Sequence, residues 1–234
     1  MNKIWAIAQA EFYGYFKTPL AYMISFIIVT IFNVFFFLLI DHNHEASLRD
    51  LFQVMEFLFV FLIPLITMKS FAEEKAMGRM EFLLTTPTSC LQIIFGKYLG
   101  CLAFFSLITL TIPFYTIILC SFSKPDLGPI LTGYIGVWLE GAFFISIGIM
   151  TSSWTKNQII ASISAYFFTF SLYFCITFTK YLSGPINTLA QQIATSTHVL
   201  HMARGIISLN DISYYITGII FCLCITFITL KKKM

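Results

Sequence analysis

Charged residues are scarce in this chain: they make up 11% of its 234 residues, whereas 58% of the residues are hydrophobic. Soluble domains carry about 25% charged residues, so this chain has too few charges to solvate a globular surface of its size. The low charge excludes an ordinary soluble domain and indicates that the solvent is a bilayer. The net charge of +3 gives no sign of nucleic-acid binding, and we expect none.

Motifs for catalysis and nucleotide binding are missing as well. The chain contains neither an H-E-x-x-H pattern nor the G-x-S-x-G turn that holds a nucleophilic serine. A phosphate-binding loop needs G-x-x-x-x-G-K-[ST], but the only Gly-Lys pair, Gly96-Lys97, is followed by Tyr98 and lacks the first glycine. We therefore expect no catalytic residue, no cofactor and no ATPase site in this chain.

The cysteines and histidines do not form a recognisable metal site. The six cysteines are scattered, without disulfide or zinc spacing, and we interpret them as small apolar side chains. His198 and His201 can share a helix face, but two imidazoles with no carboxylate nearby in the sequence make an incomplete site. We expect no metal.

A cleavable signal peptide is not evident. Lys3, Glu11 and Lys17 interrupt the first 17 residues, and the first apolar run is too long for a signal core. We expect that run to remain in the membrane as an anchor.

Six apolar stretches are long enough, or nearly so, to cross about 30 Å of hydrocarbon as helices. The runs are continuous, without the alternation of barrel strands. The sequence therefore predicts an all-α polytopic membrane protein with a single transmembrane domain over residues 1–234. The predicted spans are residues 20–40, 51–68, 98–122, 129–150, 159–179 and 212–230.

The basic residues predict the orientation of these spans. With six spans both termini lie on one side, and four basic residues, Arg49, Lys124, Lys180 and Arg204, fall on the other. The positive-inside rule then places both termini in the cytoplasm. The ten basic residues on that side are Lys3, Lys17, Lys69, Lys75, Arg79, Lys97, Lys156, Lys231, Lys232 and Lys233.

Two segments outside the spans also read as helical. Apolar residues recur at helical spacing before Pro19, which predicts an amphipathic helix in the membrane interface. The external segment 180–211 is too apolar for a solvated linker. We expect one or two short helices there that dip towards the bundle, with Gly205 separating them.

Residues 71–87 form the most charged segment of the chain. Its first part can extend the second span, Gly78 weakens that helix, and a short helix over 80–84 ends at Thr86-Pro87. Such a helix, lying across the cytoplasmic face, can transmit motion from a soluble partner to the spans. An ordinary charged loop remains the alternative.

Three segments, in the same order along the chain, resemble permease subunits of the ABC transporter type-2 family. Residues 11–22 are similar to that family's amino-terminal helix. Residues 198–215 are similar to the external segment before the last span in its gliding-motility and copper-maturation branches. The third segment follows the family pattern E-E-[RK]-x-x-G-T-[LM]-E-x-L-L-x-[ST/A]-P, which is matched at Glu73-Glu74-Lys75, Gly78, Met80-Glu81, Leu83-Leu84 and Thr86-Pro87. Arg79 stands where this pattern usually has a threonine.

The resemblance implies partners and a place in the cell. A coupling helix within 71–87 would contact a cytoplasmic ABC ATPase subunit, which would bind ATP and Mg²⁺. A second permease, identical or related, would pair with this one in the bacterial inner membrane, and the complex would be an exporter. The residues implied to contact the ATPase are Glu73, Glu74, Lys75, Gly78, Arg79, Glu81, Leu84, Pro87 and Glu11.

Glu56 and Glu140 are the only acids inside the predicted spans. An ionised carboxylate is costly in hydrocarbon, so each should face the bundle interior, a polar cavity or a partner. We predict that they belong to a transport path, as a substrate contact or a proton relay. The predicted span boundaries place them at different depths, which disfavours chemistry by paired acids. The alternative is that neighbouring groups satisfy them.

Other functions remain open from the sequence alone. An ATP-independent channel, a secondary transporter or an assembly scaffold would also use six spans. Inverted-repeat transporters show matching broken helices in two halves, and no such internal symmetry is evident here. An intramembrane protease or lipid transferase is disfavoured because the residues for a nucleophile and its base are not found together.

Overall fold

A computed structural model describes residues 3–43, 47–79, 88–179 and 184–232. These residues form helices and no strand, which confirms the predicted all-α class. Six helical stretches are long and apolar enough to cross a membrane. The helices are α1 (Lys3–Phe16), α2 (Pro19–Asn43), α3 (Arg49–Thr67), α4 (Lys69–Ala76), α5 (Cys90–Thr109), α6 (Thr111–Phe122), α7 (Leu127–Trp154), α8 (Gln158–Thr179), α9 (Pro185–Ile193), α10 (Thr195–Ala203) and α11 (Leu209–Lys231).

Four spans are longer than the apolar runs that predicted them, and the second and third differ most. The third begins at Cys90, not at 98, because Ser89 and Gln92 form a capping box. The Ser89 Oγ accepts from the Gln92 backbone N–H, and the Gln92 side chain accepts from the Ser89 N–H. Reciprocal capping satisfies amide groups that the first turn leaves unpaired. The second span continues through α4 to Ala76.

Helix α7 lies at the centre of the bundle and packs against α3, α8, α10 and α11. Three of its glycines leave room for bulky side chains from other helices. Phe52 lies against Gly133, Phe105 against Gly141 and Thr67 against Gly148, each within 2.3 Å of where a Cβ would be. Such close approach requires glycine, so α7 is the element on which the other spans are positioned.

Helix α1 packs along α5. A Cβ at Gly96 would lie 2.7 Å from Ile7, and one at Gly100 would lie 2.7 Å from Glu11. Glycines four apart lie on one helix face and let a neighbouring helix approach. This contact brings Glu11, on the helix predicted to lie in the interface, directly beside the third span.

The segment before the last span is helical, as predicted, but Gly205 does not divide it. Helices α9 and α10 are separated at Ala194, which has an extended backbone. Gly205 has a φ of +88° and follows α10, where a left-handed residue commonly ends a helix. We call the side of the bundle that carries α9 and α10 the hairpin end, and the side that carries α4 the basic end. They are the predicted external and cytoplasmic sides.

Candidate functional site

A buried lysine joins three helices at the basic end. The Lys97 Nζ, on α5, donates to Glu11 Oε2 on α1 at 3.0 Å and to Glu74 Oε1 on α4 at 2.8 Å. Its side chain is 2% exposed and its Nζ lies 5.3 Å from the centre of the Phe71 ring. Because charge-assisted hydrogen bonds are stronger than neutral ones, this cluster fixes α1, α4 and α5 to one another.

Tyr15 ties the same end of α1 to the membrane-spanning core. Its hydroxyl donates to the Ile66 carbonyl of α3 at 3.1 Å and lies 3.1 Å from the Cys101 Sγ. Burial raises the pKa of the Tyr15 phenol well above its ordinary value, so the hydroxyl stays protonated and available as a donor. Helix α1 is therefore attached to α3 and α5 by polar groups.

Serine 152 joins α4 to the end of α7. The Ser152 Oγ accepts from the Phe71 and Ala72 backbone N–H groups, both at 3.0 Å, and donates to the Met68 carbonyl at 3.1 Å. The first amide groups of a helix lack partners within it, and Ser152 accepts from amides in the first turn of α4. The Lys75 Nζ also donates to the Ser153 carbonyl. A displacement of α4 must therefore move the end of the central helix.

A groove of about 400 Å³ opens between α1 and α4. Arg79 Nη2 lies 3.3 Å from Glu73 Oε1 at its rim, and the Gln158 side chain donates to Glu73 Oε2 at 3.4 Å. Gly78, with a φ of +70°, turns the chain away from α4 beside it. The charged side chains that line the groove are Glu11, Lys69, Glu73, Glu74, Arg79 and Lys97.

Glu56 and Glu140 lie at nearly the same depth, contrary to the sequence-based expectation. The Phe52–Gly133 and Thr67–Gly148 contacts share one offset of 81 positions (133 less 52, and 148 less 67). Parallel helices α3 and α7 thus keep a fixed register, and Glu140 is only three positions from the point opposite Glu56. At 1.5 Å per residue that is about 4.5 Å. Their carboxyl groups interact electrostatically.

Both acids are inside the bundle. Glu140 is completely buried and Glu56 is 3% exposed. In the described part of the chain, neither Glu140 oxygen has a hydrogen-bond partner within 3.5 Å, and the buried Thr195 hydroxyl of α10 also has none. The Thr195 side chain nonetheless acts on the Glu140 carboxyl, so the two groups are neighbours. The phenols of Tyr173, Tyr214 and Tyr215 also interact with this region.

A polar clasp holds the hairpin end to α11. His198 Nδ1 lies 2.6 Å from Asp211 Oδ1, and His198 Nε2 lies 3.0 Å from the Gln192 carbonyl. Both ring nitrogens of His198 therefore face oxygen atoms that accept hydrogen bonds. Ser208 Oγ donates to the other Asp211 oxygen at 2.7 Å. The sequence analysis found no carboxylate near His198 because Asp211 lies 13 positions after it.

The model of the ABC-2 family transporter proteins matches residues 5–219. The chain belongs to that family. It is thus a multi-pass membrane permease subunit of an ABC transporter, and membership implies association with an ABC ATPase. No individual curated protein matches the chain. The likeness of this ABC-2 permease to the gliding-motility and copper-maturation branches stays a prediction.

The residues predicted to contact the ATPase of this ABC-2 permease divide into three groups. Glu73, Gly78 and Arg79 lie at the surface beside the groove. Glu74 and Lys75, with Glu11, are bonded to other helices. Their role as a contact stays a prediction. Glu81, Leu84 and Pro87, and the proposed helix over 80–84, lie outside the described residues.

Sequence reasoning missed Lys97 and Ser152. Lys97 was counted only as a cytoplasmic charge, and its acidic partners are 86 and 23 positions away. The available signal was the pair Gly96 and Gly100, which flanks this lysine and marks a helix approaching closely. Nothing in the sequence distinguishes Ser152 from its neighbours.

The clasp leads to a testable prediction for this ABC-2 permease. In a double-mutant cycle with His198→Gln and Asp211→Asn, we expect a coupling of about 1.5 to 3 kcal/mol, because the imidazole bonds to a buried carboxylate. Unfolding in detergent measures it. His201→Gln is the matched control, since His201 lies 3.8 Å from the same oxygen but its side chain is 54% exposed. If His201→Gln destabilises the protein as much as His198→Gln, the bond between His198 and Asp211 is not what stabilises the hairpin end.

Proposed function

We propose that this permease is the membrane subunit of an ATP-driven exporter, and that a separate cytoplasmic ATPase drives it through α1, α4 and the segment 71–87. The observation that carries the proposal is the Glu11–Lys97–Glu74 cluster, which binds α1, α4 and α5 into one unit at the basic end. A soluble subunit that pushes on α4 or α1 therefore displaces a spanning helix directly. ATP and Mg²⁺ belong to the partner subunit.

A displacement that the ATPase imposes on α4 or α1 can reach the bundle by two routes. One runs from α4 through Ser152 and Ser153 into α7, the central helix. The other runs from α1 through Lys97 into α5 and through Tyr15 into α3. The groove between α1 and α4, with acids and bases on its rim, offers a docking place for side chains of the ATPase. Its mixed charge supports specific pairing over nonspecific attraction.

A second permease is proposed to pack on the exposed aromatic surface of α3 and α8. Phe57 and Phe61 are 40% and 39% exposed there, and the Phe61 ring lies 5.0 Å from that of Phe170. Tyr166 donates to the Phe61 carbonyl at 3.0 Å and joins the two helices. This surface would separate and repack as the pair alternates between inward-open and outward-open states.

The transport path is proposed to lie beside α7, between the two permeases. Glu56 and Glu140 are the carboxyl groups in this part of the described bundle, and they are offered as its polar contacts. ATP binding by the partner subunits would bias the pair towards one state, and hydrolysis would return it. The membrane is the bacterial inner membrane, with both termini in the cytoplasm.

The test uses Gly78, whose left-handed backbone turns the chain out of α4. An alanine there is strained, whereas asparagine tolerates this conformation better. We expect Gly78→Ala to reduce stimulation of the ATPase by the permease severalfold, and Gly78→Asn to retain most of it. The measurement is affinity purification of the tagged permease from its own cells, identification of the ATPase by mass spectrometry, and its hydrolysis rate.

Each result of that experiment decides the proposal. The proposal is supported by recovery of a stoichiometric ATPase whose stimulation is strongest with Gly78, weaker with Gly78→Asn and weakest with Gly78→Ala. Recovery of the intact permease without any ATPase, even after crosslinking, favours a channel or scaffold instead. Equal stimulation by all three variants would show that the segment after α4 is not the coupling contact.

A further inference from the structure

The Glu140 carboxyl takes no part in the contacts of the proposed coupling, and a negative charge on it would be electrostatically unfavourable. It is the fourteenth residue of the 28-residue α7, so it lies about 20 Å from either end. It is completely buried, and within the described chain its two oxygens have no hydrogen-bond partner. An unpaired carboxylate in that setting is strongly disfavoured, so Glu140 needs a proton or a cation.

The described titratable side chains that interact with Glu140 are acids and phenols. Glu56 comes from α3, Tyr173 from α8, and Tyr214 and Tyr215 from α11, all of which interact electrostatically with Glu140. On α10 the basic side chain in this region is His198, whose ring stacks 4.2 Å from that of Tyr214. Its Nδ1 lies 2.6 Å from Asp211 Oδ1, so Asp211 and not Glu140 is its acidic partner. Two interacting carboxyl groups disfavour a negative charge on both at once.

Thr195 provides an independent observation at the same place. It is completely buried, and its hydroxyl has no hydrogen-bond partner within the described chain although it neighbours Glu140. A protonated carboxyl can both donate to and accept from a hydroxyl. The Thr195 backbone is itself held by Tyr215, whose hydroxyl donates to its carbonyl at 3.0 Å. Acid and hydroxyl groups thus lie together in the bundle interior beside α10.

We propose that Glu140, with Glu56 and Thr195 around it, is a proton-binding site that is loaded while the hairpin end is closed. In the second part of the proposal, which rests on the proposed function, ATP-driven opening moves α10 away and admits water. The Glu140 O–H bond then breaks, the proton passes to water, and the carboxylate becomes hydrated. Closure reverses these steps.

The position of α10 supports this link between the site and the opening of the bundle. The Met202 side chain fills the place of a Cβ on Gly136, one turn from Glu140. The Thr132 hydroxyl donates to the Met202 carbonyl at 2.5 Å. Helix α10 thereby packs on the part of α7 that leads to Glu140, and we expect its departure to admit water to this carboxyl.

The first experiment is infrared spectroscopy of the full-length permease, labelled with isotopic glutamate, in lipid nanodiscs at neutral pH. We expect a carbonyl band of a protonated glutamic acid that is lost in Glu140→Gln. Thr195→Val, which keeps the side-chain shape, should shift the band because it removes the neighbouring hydroxyl. Glu73→Gln, at the surface of the basic end, is the matched control and should leave the band unchanged. Absence of the band in the unmodified protein, or its survival in Glu140→Gln, overturns the proposal.

The second experiment tests release in the complex with the ATPase, trapped with ATP and vanadate. We expect loss of the band and, measured with a pH dye, release of one more proton per permease than Glu140→Gln releases when trapped in the same way, because ATP hydrolysis releases protons in both. An ATPase that hydrolyses ATP while the band stays unchanged overturns the release step and leaves the proposed function intact. Failure to isolate any ATPase overturns the proposed function, while the first experiment still tests the proton site.

Discussion

Replacing Lys97 by methionine is expected to destabilise the permease by about 3 to 5 kcal/mol, the effect of removing one partner from a buried ion pair. Methionine is about as long as the lysine stem and keeps its packing, but it leaves Glu11 and Glu74 facing one another without the cation that bonds to both. These two side chains are 19% and 20% exposed, so water relieves little of their repulsion. Thermal unfolding in detergent measures the loss.

The control for this substitution is Lys156→Met. Lys156 is exposed in the turn after α7, and surface substitutions usually change stability by no more than about 0.5 kcal/mol. The triple variant Lys97→Met, Glu11→Gln and Glu74→Gln should recover much of the stability, because it removes the uncompensated charges together. If Lys97→Met unfolds at the same temperature as Lys156→Met, the cluster does not hold the basic end together.

Substitution of Gly148 by alanine is expected to be the most disruptive single-methyl change in the bundle. A Cβ at this position would lie 1.9 Å from the Thr67 Oγ1 and 2.6 Å from the Thr67 Cβ. Both residues are buried, and the Thr67 hydroxyl donates to the Ile63 carbonyl at 2.8 Å. Helices α3 and α7 must therefore move apart. Overpacking of this kind costs about 1 to 3 kcal/mol, sometimes more.

Gly14→Ala is the matched control, because within the described chain no atom lies within 4 Å of its added methyl. In helix α1 that change should be neutral or stabilising by up to about 1 kcal/mol. Adding Thr67→Ala to Gly148→Ala should recover part of the lost stability. Both alanine variants are compared by their unfolding free energies. Equal stability would mean that α3 and α7 are not in close contact at this point.

The membrane-spanning architecture could be predicted from the sequence because it depends on local composition. A run of about 20 apolar residues spans the hydrocarbon as a helix whatever lies elsewhere in the chain. The six predicted spans accordingly match the six helical stretches, with errors at the ends. Those errors arose where polar residues continue a helix, as in α4, or begin it through a cap, as at Ser89.

The relative depth of Glu56 and Glu140 could not be predicted in this way. Boundaries inferred from hydropathy carry errors of several residues, and each residue shifts the depth by 1.5 Å. The actual register is set by Phe52 against Gly133 and Thr67 against Gly148. A fixed register of two packed helices is a property of side chains that interlock, and hydropathy contains no record of it.

The sequence by itself determined the class of protein, the number of spans and the family, and it marked Glu11, Glu73 and Glu74 as important charges. Only the tertiary structure decided which charges meet. Glu11 and Lys97 are 86 positions apart, yet their side chains are 3.0 Å apart. Insertion of each helix depends on its own apolar residues. The pairing of charges depends on how separate helices pack, and that packing requires the whole chain to fold.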